Sequence, residues 1–186
     1  MRIISGSLKG RELKTTTGPG YRPAMSKVRA AIFSMLEARG VIWPSARVLD
    51  IFAGSGSLGF EALSRGAPFA CFVDADKKAT RLIRENAEKF GLDAVRYAIH
   101  AQEARGFLAA RDMEPFDVIF IDPPYRGHFL APSLTAVIRK NWLREGGVIN
   151  AEVERGVDFD PEADFPPLAC IADREYGQTR VVLWTL

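Results

Sequence analysis

Two cysteines and two histidines in 186 residues leave little material for metal or redox chemistry. Cys71 and Cys170 stand 99 positions apart and form no C-x-x-C pair, which excludes zinc-ribbon and thioredoxin readings and argues against a secreted disulfide scaffold. His100 and His128 have no cysteine or second histidine at ligand spacing, so no metal site is expected. No apolar run approaches membrane-spanning length, and the opening MRIISGSLKGREL lacks an apolar signal core; the expectation is a cytoplasmic protein without a membrane. With 16 glycines and 11 prolines the chain is too poor in both for a disordered or collagen-like polymer, and it shows no repeat or low-complexity tract. What is present, 47% hydrophobic and 26% charged residues, suits one globular unit able to bury a core without staples.

The net charge of +2 hides an asymmetry. Residues 1–39 carry eight bases against Glu12 and Glu37, whereas the remainder carries 17 bases and 21 acids. A basic arm on an acidic body suggests a polyanionic partner for the arm. We therefore expect a basic amino-terminal arm and helix over 1–40 and a second unit over 41–186. Within the first, short β-like pieces are broken by glycine and proline up to Pro23. Residues 25–38 then show helical spacing, with Met25, Val28, Ile32, Met35 and Leu36 on one face.

From residue 46 strands and helices alternate. Strands are predicted at 47–52, 69–73, 94–99, 116–121 and 147–153, with helices at 58–64, 76–90, 102–111 and 133–143 between them. Runs at 169–175 and 179–185, joined by Tyr176-Gly177-Gln178, read as a terminal antiparallel hairpin. The expected fold is α/β: a seven-stranded, doubly wound, Rossmann-like sheet with an antiparallel carboxy-terminal hairpin. Its ligand belongs at the carboxyl ends of the strands, near the switch point.

After the first strand, Asp50-Ile51-Phe52-Ala53-Gly54-Ser55-Gly56-Ser57-Leu58-Gly59 contains G-x-G-x-x-G, with Asp74 20 residues past Gly54. Glycines let backbone approach a nucleotide-like ligand, and the acid can accept from both ribose hydroxyls. The pattern also fits a dinucleotide, so an NAD-dependent dehydrogenase must be weighed. Asp50 argues against it: a carboxylate there repels a pyrophosphate but suits a cation such as S-adenosylmethionine, with its sulfonium and ammonium.

After the fourth strand comes Asp122-Pro123-Pro124-Tyr125. Two prolines fix the backbone and remove two donors, leaving carbonyls and a carboxylate at the strand end. Such an acceptor-rich site suits an exocyclic amine: Asp122 and the Pro123 carbonyl hold its two hydrogens, and its lone pair is free to meet an electrophilic methyl. Tyr125 can stack on a planar base, a contact worth roughly 1–3 kcal/mol. Phe129 divides evenly between pocket wall and core, Glu152 reads as a plain strand-end acid, and Trp43, Trp142 and Trp184 read as packing residues.

Taken together, D-P-P-Y after strand four and D-x-F-A-G-S-G after strand one resemble the S-adenosylmethionine-dependent amino-methyltransferases. The amino-terminal RIISG, Lys9-Gly10-Arg11, Arg22-Pro23, Val28-Arg29 and Phe33, the helix Glu61–Gly66 and the closing Glu175-Tyr176-Gly177-Gln178-Thr179 narrow this to the RsmD family, whose members methylate N2 of one guanine in 16S rRNA. The resemblance runs through nearly the whole chain. It implies that Asp50, Phe52, Ala53, Gly54, Gly56, Asp74, Ala75, His100, Ala101 and Asp122 line the cofactor, with Asp74 at the ribose and His100-Ala101 beside the adenine. It implies that Asp122, Pro123 and Tyr125 hold the target base, and that Arg2, Lys9, Arg11, Arg22 and Arg29 grip RNA phosphates. Ala24, Ser26 and Ala30 stand where the family usually has Thr, Asp and Glu. The implied partner is 16S rRNA within an assembled small subunit or late precursor, acted on by a monomer. An N6-adenine methyltransferase and a non-catalytic RNA-binding module are the other readings.

Overall fold

A computed structural model of the chain describes residues 1–15, 23–110, 113–124 and 129–186. Helix α1 (Pro23–Ala38) precedes the alternation β1 (Arg47–Ile51), α2 (Ser57–Ser64), β2 (Phe69–Asp74), α3 (Lys77–Phe90), β3 (Tyr97–Ala101), α4 (Ala104–Ala110), β4 (Phe116–Ile121), α5 (Leu130–Arg139) and β5 (Leu143–Glu154). The hairpin β6 (Ala169–Tyr176) and β7 (Thr179–Thr185) closes the chain. The seven strands form one sheet in the order β3-β2-β1-β4-β5-β7-β6. The first five are parallel, and β7 runs antiparallel between β5 and β6. From β1 the chain winds outward through β2 and β3, then returns to β4 on the other side. The switch point therefore lies between β1 and β4, where a doubly wound sheet opens a crevice at its carboxyl edge.

Both central strands are buried on two faces, as continuous apolar runs such as FDVIFI require. Alternation divides the core in two. Val48, Phe120, Phe72, Val148 and Leu183 pack under α1, α2 and α3 with Ile32, Phe33, Leu63 and Ile83. Leu49, Ile51, Ile119, Ile121 and Trp184 pack under α4 and α5 with Phe107, Leu134, Val137 and Trp142. The three tryptophans are core residues.

The amino-terminal segment does not hang free. Ile3, Leu8 and Leu13 are buried in the first of these layers. The backbone N–H groups of Ile4 and Ser5 donate to the Glu61 carboxylate at 2.7 and 3.0 Å, and Leu8 N–H donates to Ser64 Oγ at 2.9 Å. Lys14 and Asn86 exchange two bonds, N–H to Oδ1 at 2.8 Å and Nδ2 to the carbonyl at 3.0 Å. The expected β-like pieces reduce to one bridge, Arg2 with Glu12, because these donors are satisfied by α2 and α3 rather than by a strand partner. Among the described residues no helix is long and apolar enough to cross a membrane.

Candidate active site

β1 ends at Ile51, and Phe52 follows with φ of 63°, a left-handed conformation that costs a bulky side chain about 1–2 kcal/mol. This strained corner turns the chain across the end of β2, where Ala53 N–H donates to the Val73 carbonyl at 3.1 Å. Strain of this kind gathers where a fold presents backbone to a ligand. The Phe52 ring meets Phe129 at 5.6 Å, and Phe129 is 44% exposed, so the two form an aromatic lip.

The three glycines of the turn have different physical reasons. A Cβ on Gly59 would stand 2.3 Å from the Phe72 ring, and one on Gly56 2.8 Å from the Phe60 ring; both are demanded by packing. Gly54, at φ of 54°, has open space where its Cβ would be, the nearest atom being the Phe52 carbonyl oxygen at 4.0 Å. That open backbone is where a ligand can approach. Gly59→Ala should therefore destabilise the fold by about 1–3 kcal/mol. Gly54→Ala should cost no more than about 1–2 kcal/mol of backbone strain yet impair cofactor binding. Thermal melts beside calorimetric titration with S-adenosylmethionine test this, and equal cofactor affinity for wild type and Gly54→Ala would refute it.

Asp74 organises the turn. Its Oδ2 accepts from Gly54 N–H and its Oδ1 from Asp76 N–H, both at 2.8 Å. Each oxygen keeps a further lone pair for a hydroxyl donor. Ala75 and Ala101 are exposed at the ends of β2 and β3, where Asp74 pairs with Ala101. The His100 ring meets Phe107 of α4 at 4.9 Å between centroids, tilted by 55°.

Asp50 is 1% exposed and accepts from Gly59 N–H at 2.9 Å, binding β1 to the first turn of α2. Its carboxyl is held well above the usual range, first by burial, against the lowering bond from Gly59, and then by repulsion from Asp122 and Asp74.

Asp122 continues β4, its N–H donating to the Ile51 carbonyl at 3.4 Å. Solvent reaches its side chain from the cleft, yet the carboxyl is set deep among protein atoms, and that loss of hydration pushes it up to about 7. Pro123 is buried beside it. Tyr125, Arg22 and His128 lie outside the described residues.

The carboxyl edge thus gathers Asp50, Phe52, Ala53, Gly54, Asp74, Ala75, Ala101 and Asp122 around the switch point. Of the cations chosen for RNA, the four described ones, Arg2, Lys9, Arg11 and Arg29, are not gathered there. Arg29 is 4% exposed; it lies 3.9 Å from Glu61 and donates to the Arg2 carbonyl and to Met1 Sδ. No phosphate reaches it, and the expectation of a phosphate grip at Arg29 is corrected: a carboxylate brought in by α2 draws the guanidinium into the core. Arg11 donates to the Phe90 carbonyl at 3.1 Å and to that of Lys89, capping the far end of α3. Arg2 faces Glu12 at 3.7 Å, and Lys9 is exposed. α3 has 14 residues, so Arg11 lies a helix length of about 20 Å from the edge where α3 begins.

Cations that the sequence reading passed over stand at the near end. A depression of about 460 Å³ on the β3 side of the cleft is lined by Lys77, Lys78, Thr80, Arg81, Arg84 and Ala101. Their i, i+3, i+4, i+7 spacing is visible in the sequence, but it also describes any solvated helix face; the place of Ala101 distinguishes the two.

A Rossmann-like methyltransferase domain is the class that this topology and this edge define. The family model described as conserved hypothetical protein 95 matches residues 1–185. YlbH of Bacillus subtilis is 40% identical over 185 residues, covering 99% of this chain and 98% of that protein. Ribosomal RNA small subunit methyltransferase D of Escherichia coli K12 is 34% identical over 163 residues, covering 87% and 79%. The solved structure of TTHA0928 from Thermus thermophilus matches with a TM-score of 0.80 at 30% identity, over 100% of this chain and 99% of that one. The chain belongs to this family, the RsmD family.

Proposed function

We propose that the chain transfers a methyl group from S-adenosylmethionine to the exocyclic N2 amine of a guanine in 16S rRNA, presented by an assembled small subunit or late precursor. The observation that carries this is the Asp122-Pro123 pair at the end of β4, with Asp122 bonded to Ile51 just before the open Gly54 turn of the neighbouring strand β1. The residues present fit the cofactor: Gly54 offers open backbone, Asp74 keeps lone pairs for the ribose, and Asp50 and Asp122 are carboxyls whose raised positions a bound cation would bring down. When bound, the cofactor supplies an electrophilic methyl on a sulfonium. The chain's own work is positioning. The Asp122 carboxylate and the Pro123 carbonyl each accept one N2–H, which directs the nitrogen lone pair outward. As the new C–N bond forms and the C–S bond breaks, nitrogen becomes cationic, and the Asp122 carboxylate stabilises that charge and takes the departing proton.

Tritiated methyl transfer to small subunits from cells lacking the gene, followed by nucleoside analysis, tests the reading. Label in N2-methylguanosine supports it, and label in N6-methyladenosine replaces it with the adenine reading. Measurable cofactor binding without label refutes the substrate.

The cations on α3 belong to the same reading. Lys78, Arg81 and Arg84, rather than Arg11, are the residues that should meet phosphates beside the cleft. Replacing all three with glutamine should weaken RNA binding and reduce the slope of log K against log salt by about 2. Arg11→Gln should lower stability instead, since it removes the cap of α3. An unchanged salt slope in the triple variant would refute the placement.

A further inference from the structure

The sheet register gives Glu152 neighbours that a plain strand-end acid would not have. β4 and β5 pair in parallel with Ile121 opposite Ala151, so Asp122 and Glu152 are the next neighbours, on strands about 4.8 Å apart. Alternation puts both on the sheet face that also carries Asp50. Glu152 is half-buried, and across β5 it pairs with Val181 of β7, so it is held from both sides by strands. One pleat deeper on that face lies Asn150, 0% exposed, with neither Nδ2 nor Oδ1 hydrogen-bonded. A buried amide without partners costs roughly 1–3 kcal/mol per group and calls for an explanation. Here it lies directly beneath Glu152 on the same face of the sheet.

The surroundings agree with a ligand-facing role. Burial, then repulsion from Asp122 and Asp50, raises the Glu152 carboxyl, against the pull of Arg29. Among the described residues no three His, Cys, Asp or Glu side chains stand in a group that could hold a metal ion. The pair Asp122 and Glu152 instead matches an organic donor edge. A guanine presents N1–H and N2–H₂ side by side; an adenine presents an acceptor at N1 next to its amine. Asp122 and the Pro123 carbonyl account for the N2 hydrogens, and the neighbouring strand supplies one more acceptor.

We propose that Glu152 is the specificity residue of this site, accepting the N1–H of the target guanine while Asp122 holds its amine, with Asn150 beneath it as a positioning residue. The assignment rests on the guanine-N2 reading above. It explains how D-P-P-Y, equally suited to an adenine amine, is restricted here to guanine: an adenine N1 lone pair would face a carboxylate.

2-Aminopurine tests this, because it keeps the 2-amine but has an acceptor at N1. Small subunits are reconstituted with 2-aminopurine or guanine at the target position and offered to wild type and Glu152→Gln. Wild type should methylate guanine about 30- to 100-fold better, the size of one charge-assisted hydrogen bond lost and one acceptor left facing another. Glu152→Gln, whose amide can donate to N1, should bring the two within about threefold. 2-Aminopurine fluorescence with cofactor-free protein gives an independent binding readout, and the variant should bind the modified subunit more tightly than wild type does. Equal use of both bases by wild type overturns the assignment while leaving the N2 reading intact, and so does a Glu152→Gln variant that keeps wild-type discrimination. Failure of wild type to label guanine itself overturns the N2 reading and this assignment with it.

Discussion

Glu61→Ala should lower the stability of the chain by about 3–5 kcal/mol, a large share of the roughly 5–15 kcal/mol that holds a domain of this kind together. Glu61 is 0% exposed in α2. Its two oxygens take the Ile4 and Ser5 N–H groups and Arg65 Nε, the last at 3.0 Å, and Arg29 lies 3.9 Å away. Removing the carboxylate strands two backbone donors and takes from Arg29 and Arg65 a counter-charge set within the core, leaving Arg65 with Glu37 alone. Glu61→Gln keeps an acceptor but not the charge, so its loss should be intermediate. Guanidinium denaturation measures both, and an unchanged m-value would locate the effect in the folded state. Trypsin should cut faster after Arg2, Lys9 and Arg11 in the alanine variant, because the segment before α1 is anchored at this carboxylate. A loss below about 1 kcal/mol for Glu61→Ala would refute that anchoring role.

The same ion cluster shows where the sequence could be read and where it could not. β4 and β7 stand where the runs FDVIFI and TRVVLWT predicted them, because two-sided burial leaves an unbroken apolar string between breakers. The five parallel strands and the closing hairpin followed from alternation and from the Tyr176-Gly177-Gln178 turn, whereas the order of strands in the sheet came only with the structure. Helix α5 was expected at 133–143 and is found at Leu130–Arg139. Pro132 is tolerated there because it falls in the first turn, and Asn141, at φ of 52°, ends the run in a left-handed residue. Leu143 consequently belongs to β5, whose start carries a register shift against β4 between Phe116 and Val118. Strand three begins at Tyr97 rather than Ala94, because Asp93 caps a short 3-10 turn through its bond to Val95 N–H. The site's acids on β1, β2 and β4 were legible from motif and spacing. Arg29 was not, because the partner that buries it is 32 positions away on another helix. The role proposed for Glu152 was not, because it comes from the neighbour that the sheet register places beside it.

Asp122→Ala should reduce methyl transfer by about 10³-fold, most of it in kcat, while cofactor affinity stays within about tenfold. The reason is the proposed division of labour at the switch point, in which the Gly54 turn and Asp74 hold one partner and Asp122 orients the other. The pH dependence should report the same carboxyl. Asp122 is raised to about 7, and Asp50 and Glu152 are raised as well, chiefly by burial. A carboxyl raised in the folded state contributes stability that is fully present below its unfolded value near 4 and is lost as pH rises through its folded value. The cofactor-free chain should therefore melt at a lower temperature at pH 8 than at pH 5.5. A cation drawn to the ionised cluster has the opposite slope, so affinity for S-adenosylmethionine should climb as pH passes through about 7. Asp122→Asn removes the group titrating there and should flatten both curves together. Melting and calorimetric titration across pH 5.5–8 separate the possibilities. If Asp122→Asn keeps both wild-type slopes, another group titrates there. If Asp122→Ala keeps wild-type turnover, the amine is held by something other than Asp122, and the chemistry assigned to the end of β4 falls.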